Sequence, residues 1–133
     1  MGVLRRFQPV WYATRMLINA FKLVVFERYA QFQGRAGRAE YWWFVLADFL
    51  LMIVLAILAG IADIFYVLYF LAALGLIIPS LAAAVRRLHD TSKSGWWVLI
   101  GLVPFVGWII VIVLLAAEPT PGENEYGVTA PGP

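Results

Sequence analysis

Three long apolar stretches dominate this chain: residues 41–62, 65–85 and 96–117. As helices rising about 1.5 Å per residue, each is long enough to cross a hydrocarbon core of roughly 30 Å. The pattern predicts an all-α, polytopic membrane protein with three transmembrane helices. The first break between spans is only Asp63-Ile64. The second, residues 86–95, is the one polar run between long apolar segments, and it runs straight into Trp96-Trp97. Pro79 interrupts the second span and frees a carbonyl that lipid cannot satisfy. Gly101, Pro104 and Gly107 predict a kinked third span. Ala56 with Gly60, and Ser80 with Ala84, are spaced to let another helix approach closely.

Ahead of the spans the periodicity changes. Within residues 9–26, Trp11, Thr14, Leu17, Ile18, Phe21, Val24 and Val25 share one helical face, and Arg15, Asn19 and Lys22 the other. This predicts an N-terminal amphipathic helix in the membrane interface, its bases toward lipid phosphates. Arg15 and Lys22 interrupt any secretory pattern, and Arg6 occupies the position where myristoylation needs Ser or Thr. The expected organisation is an interfacial segment over residues 1–40, a membrane domain over 41–117, and a Pro/Gly-rich, loosely ordered tail over 118–133.

Composition supports this division. Hydrophobic residues make up 63% of the 133 residues and charged ones 14%. A water-soluble domain this small could not bury so much apolar side chain. The chain has no cysteine, which excludes disulfides, thiolate metal sites and thiol nucleophiles.

The net charge of +2 is small, but its distribution is one-sided. Seven bases precede the first span: Arg5, Arg6, Arg15, Lys22, Arg28, Arg35 and Arg38. The other three, Arg86, Arg87 and Lys93, follow the second span. Bases near short loops stay cytoplasmic. Three spans would then leave Met1 and His89 cytoplasmic and the tail, with Asn124, periplasmic. Basic clusters beside apolar spans point to anionic phospholipids rather than nucleic acid.

Three blocks carry a resemblance. Phe32-Gln-Gly-Arg35-Ala-Gly-Arg38-Ala-Glu40-Tyr41-Trp42 is similar to an F-x-G-R-x-x-R-x-E-Y-W pattern. Arg86-Arg-Leu-His-Asp-Thr-Ser-Lys-Ser-Gly-Trp-Trp97 is similar to R-R-L-H-D-x-x-x-S-G-W-W. Asn124-Glu-Tyr126-Gly127 closes a G-x-N-x-Y-G pattern. Together they resemble the domain of unknown function 805 family, small bacterial inner-membrane proteins of the YhaH type. The resemblance spans residues 32–127. It implies a membrane protein of several helices and supplies no activity, cofactor or catalytic residue.

Candidate sites follow from position. Asp48 lies seven residues inside the first span, roughly 10 Å along the helix. An intramembrane carboxylate costs about 2.5–3.5 kcal/mol on insertion scales. Arg86 and Arg87 are expected to snorkel toward it, with Ser80 at comparable depth. A structural bridge is the favoured reading, because one acid without a partner acid makes a poor proton relay. His89 and Asp90 are read as structural polar residues, since no second histidine or nucleophile completes a catalytic set. Arg35, Arg38, Arg86, Arg87 and Lys93 are candidate contacts for anionic lipid or a partner. Trp42, Trp43, Trp96 and Trp97 are the interface anchors. No metal or cofactor is implied. The expectation is a non-enzymatic accessory or scaffold protein that associates with a larger membrane complex or itself. The alternative is a small oligomeric transporter or channel with Asp48 lining its path.

Overall fold

The computed structural model describes the backbone of residues 2–133 and the side chains of residue 6 and residues 8–133. The expected placement of Met1 and of the Arg5 charge lies outside the described residues. Helix α1 (Gly2–Lys22) runs into a π-helical turn (Leu23–Glu27). Then come α2 (Arg38–Ala59), α3 (Ile64–Asp90), a 3₁₀ helix (Gly95–Leu102) and α4 (Val106–Ala116). The described residues form no strand beyond a single bridge between Asn124 and Gly127.

Among the described residues, helices α2 and α3 are the two elements long and apolar enough to cross a membrane, and they form an antiparallel hairpin. Only 11% of the apolar window of each is buried within the protein. Phe49, Val54, Phe70 and Leu74 are among the large side chains left facing outward. Exposed apolar faces of this extent suit lipid and not water.

Helix α1 leans on this pair. Tyr12 meets Trp43 edge to face, and Phe21 lies against Phe44, each with ring centroids 6.2 Å apart. Ala20, Val24, Phe44 and Ala83 are buried together. The expected polar face holds, with Arg15, Asn19 and Lys22 exposed. The apolar stripe is rotated from the expected one: Trp11 is 73% exposed, and Thr14 and Ile18 also face outward. Small side chains at Ala13 and Ala20 let the backbones approach more closely than Trp11 would. The helix also begins well before Pro9, which it contains.

Pro79 has the consequence expected of it. Without an N–H at position 79, the carbonyl four residues earlier loses its helical partner. That carbonyl belongs to Gly75, and the Tyr29 hydroxyl donates to it at 2.6 Å.

Two expectations are corrected here. The polar stretch after the second span is largely helical, since α3 continues through Asp90. Arg87 and His89 lie in its last turn, where the helix dipole favours cations.

The third span is also not a continuous helix. Residues 96–117 divide into the 3₁₀ helix and the 11-residue α4, broken at Pro104 and Phe105. Phe105 turns the chain with a φ of 62°. The 3₁₀ helix and α4 are each only about 16 Å long, near half a hydrocarbon core. Arg87 donates to the carbonyls of Leu115 and Ala117 at the end of α4. The chain therefore leaves the end of α3 and returns to it as a short apolar hairpin.

Gly107 closes that hairpin. A Cβ at this position would lie 2.0 Å from the Ile100 carbonyl oxygen, whereas one at Gly75 would meet nothing within 4 Å. Gly107→Ala should destabilise the protein by about 1–3 kcal/mol through overpacking. Gly75→Ala should be near neutral. Thermal unfolding in detergent, followed by tryptophan fluorescence, compares the two.

The structure does not support the expected opposite placement of loop and tail. Thr120 N–H donates to the Asp90 carbonyl, and the Asn124 amide donates to the His89 carbonyl. These contacts put residues 118–127 on the loop's own side and order them. Single cysteines introduced at Ser92 and Glu125 of this cysteine-free chain should react with a membrane-impermeant maleimide from the same side. Labelling from opposite sides would restore a third span.

Candidate functional site

The three sequence blocks converge at the membrane face where α2 begins and α3 ends. The Asp90 carboxylate accepts from Arg35 Nε at 2.8 Å and from Arg87 Nη1 at 2.5 Å. The Glu40 carboxylate accepts from Arg86 Nη1 and Arg28 Nη1, each at 3.0 Å. Side chains of Arg35, Arg86, Arg87 and Glu40 are wholly buried, and that of Asp90 is 1% exposed.

Four guanidinium groups thus share two carboxylates. Carbonyl oxygens balance the remaining positive charge. Arg35 donates to Asp90, Thr120, Gly122 and Gly127 carbonyls. Arg87 also reaches the Ala36 carbonyl, and Arg86 Nε reaches that of Gln31. Helix C-termini present unpaired carbonyls and partial negative charge, so the ends of α3 and α4 suit this role. In turn, α3's own last carbonyls are capped: Leu88 by Thr91 and Lys93, His89 by Ser92 and Asn124, Asp90 by Thr120.

Local sequence explains why these residues arrive here. Gly34 turns the chain with a φ of 90°, a region open to glycine at little cost. That turn brings Ala36 N–H to the Arg86 carbonyl at 3.0 Å. Glu40 stands in the first turn of α2, where the dipole stabilises a carboxylate. Arg87 and Asp90 are three apart on α3 and so share a face.

The expected lipid contacts separate into two groups. Arg35, Arg86 and Arg87 are buried in the ion-pair lattice. Arg38 is exposed, with Nε 3.3 Å from the Ala117 carbonyl, and half-buried Lys93 reaches the Thr91 carbonyl. Arg38 borders a hollow of about 340 Å³ shared with Trp42, Trp43 and Leu46. Of the four tryptophan anchors, Trp96 and Trp97 are exposed, whereas Trp42 and Trp43 are half-buried against Tyr41 and Tyr12.

Among the structural polar residues, Asp90 and His89 belong to the assembly. His89 Nδ1 lies 3.0 Å from the Gly34 carbonyl, and its ring stacks on Tyr126 at 3.9 Å. The expected bridge from Asp48 to Arg86, Arg87 or Ser80 does not form. Both arginines point to partners nearer the face. Asp48 Oδ1 and Arg86 Nη2 are buried with no hydrogen-bond partner among the described residues. The true partner of Arg86 is Glu40, two helical turns closer to the surface than Asp48. In the sequence Glu40 stands out only as part of the first motif block, with no base assigned to it. Its signal was opposite charge at matching ends of two consecutive spans.

These features define a small, all-helical protein with two candidate membrane spans, a shorter apolar helix and a buried ionic lattice at one end. The chain belongs to the family described as Protein of unknown function (DUF805), whose model matches residues 29–128. It is 41% identical over 113 residues to inner membrane protein YhaH of Escherichia coli K12, covering 79% of this chain and 91% of that protein. It is 41% identical over 109 residues to inner membrane protein YhaI of the same strain, covering 79% and 90%. Identity to the uncharacterized protein YiiR is 32% over 123 residues, covering 72% and 83%. No solved structure matches.

Proposed function

We propose that the protein is a non-enzymatic accessory or scaffold protein of the inner membrane. It associates with a larger membrane complex or with itself, and with anionic phospholipid. The observation that carries this reading is a contrast between its two regions. The polar face is a lattice of buried ion pairs and caps, whereas only 11% of the apolar window of either span is buried. Ala56 and Gly60 stand exposed on α2 at the spacing that admits a second helix. Arg38, beside its apolar hollow, and Lys93 are the cations placed to meet lipid phosphate, each adding about 1 kcal/mol near an anionic surface. By the rule that bases stay inside, loop, tail and ion-pair lattice all face the cytoplasm.

The test is gentle detergent extraction followed by intact-mass analysis. A foreign subunit or a homo-oligomer supports the reading, and Ala56→Leu should weaken the homo-oligomer. A lone monomer, with no retained lipid or polypeptide, sinks it. A second reading, a small oligomeric transporter or channel, is supported by the unpartnered buried oxygen of Asp48. It requires that Asp48→Asn abolish an ion flux in vesicles while leaving thermal stability intact.

A further inference from the structure

Beside the ionic lattice lies a cavity of about 410 Å³ between α3 and the 3₁₀ helix. Phe32, His89, Ser94 and Tyr126 bring all three sequence blocks to its lining, and Leu81, Val85, Trp96 and Leu99 make it apolar. Its volume is in the range of small-ligand sites, and a few polar groups converge on it.

Those polar groups have defined hydrogen-bonding roles. The Gly34 carbonyl beside His89 Nδ1 can only accept, so Nδ1 carries the proton. In the neutral ring, Nε2 then offers a lone pair. Stacking on Tyr126, with ring planes 3° apart, fixes the imidazole's orientation. Ser94 Oγ accepts from Trp96 N–H at 3.4 Å and keeps its own proton to donate. The lining thus presents an acceptor at His89 and a donor at Ser94, beside the Tyr126 hydroxyl, which can act as either. A hydroxyl group, itself donor and acceptor, satisfies both. An alkane satisfies neither group.

The walls indicate the rest of the ligand. Leu81, Trp96 and Leu99 are 39%, 78% and 49% exposed on the apolar exterior, so the opening faces the bilayer. At about 30 Å³ per water-sized group, the volume accommodates roughly fourteen heavy atoms. We infer that this cavity binds a single-chain lipid alcohol drawn from the bilayer, its chain along Leu81 and Leu99 and its hydroxyl between His89 Nε2 and Ser94 Oγ. This site is separate from the association surfaces proposed above.

The test uses the full chain reconstituted in phosphatidylcholine vesicles, with dodecanol carrying a terminal bromine as probe. Bromine quenches tryptophan fluorescence, and Trp96 lines the cavity. Quenching should saturate, be reversed by plain dodecanol, and largely disappear in Trp96→Phe. Bromododecane, which partitions into the bilayer without a hydroxyl, should quench weakly and without saturation. Leu81→Phe fills the cavity from its lipid-exposed side and, with Trp96 still present to report, should abolish the saturable component. His89→Phe keeps an aromatic ring for stacking and should raise the half-quenching concentration roughly fivefold, the value of one hydrogen bond. Equal, non-saturable quenching by both bromo compounds overturns the inference, as does saturable quenching that survives Trp96→Phe unchanged.

Discussion

Replacing Asp90 by asparagine is expected to destabilise the protein by about 3–5 kcal/mol, the usual cost of removing one partner from a buried ion pair. The effect belongs at the upper end of that range, because Asp90 serves two guanidiniums. Arg35 and Arg87 are both wholly buried and both bonded to its carboxylate. An asparagine can still accept a hydrogen bond through its carbonyl, but it leaves the two charges without a counter-charge. The damage should spread, since Arg35 holds the tail through the Thr120, Gly122 and Gly127 carbonyls, and Arg87 holds the end of α4. Thermal unfolding in detergent measures the loss. Limited proteolysis should show residues 118–133 cut faster in the variant. A melting temperature within a degree or so of the parent, well below the several degrees that 1 kcal/mol shifts a small domain, would mean that the lattice contributes little.

Glu40→Leu is the second large effect, again about 3–5 kcal/mol. Glu40 is wholly buried, and it is the carboxylate for both Arg86 and Arg28. Combining Glu40→Leu with Arg86→Met should recover part of the loss, because the double change removes the buried charge together with its partner. Residues in direct contact show coupling of about 0.5–3 kcal/mol. Asp48→Leu combined with Arg86→Met provides the contrast. No bond joins those two side chains, so their effects should add to within about 0.5 kcal/mol. Strong coupling of Asp48 to Arg86 and none of Glu40 would reverse the assignment made from the geometry.

The membrane character of the chain was legible because it depends on composition over long windows. Residues 41–62 and 65–85 read as spans without any tertiary information, and α2 and α3 occupy them. The carbonyl left unpaired by Pro79 was legible too, since proline removes a specific hydrogen bond wherever it sits. That Tyr29 would supply the missing donor was not, because Tyr29 and Gly75 are 46 residues apart. The third span misled for a related reason. Hydropathy measures how apolar a stretch is, not whether it is one helix, and a hairpin of two short segments is as apolar as one long helix. Gly101, Pro104 and Gly107 were read as a kink; the chain instead turns back at Phe105, and Gly107 packs against the Ile100 carbonyl.

Pairing was the hardest to read. Snorkelling suggested that Arg86 and Arg87 reach inward to Asp48, the conspicuous intramembrane acid. Instead, both guanidiniums bind carboxylates of the flanking motifs and carbonyls of helix ends. The deciding energy is desolvation: a buried guanidinium needs several oxygens, and the membrane face offers many where the interior of α2 offers one. Sequence by itself determined the helical class, two spans, the one-sided placement of basic residues and the three motif blocks, because each follows from local composition and spacing. Tertiary structure alone decided which charge meets which, where the tail lies and that residues 96–117 turn back, because those outcomes depend on the register of α2 against α3 and on carbonyl groups that every residue carries alike.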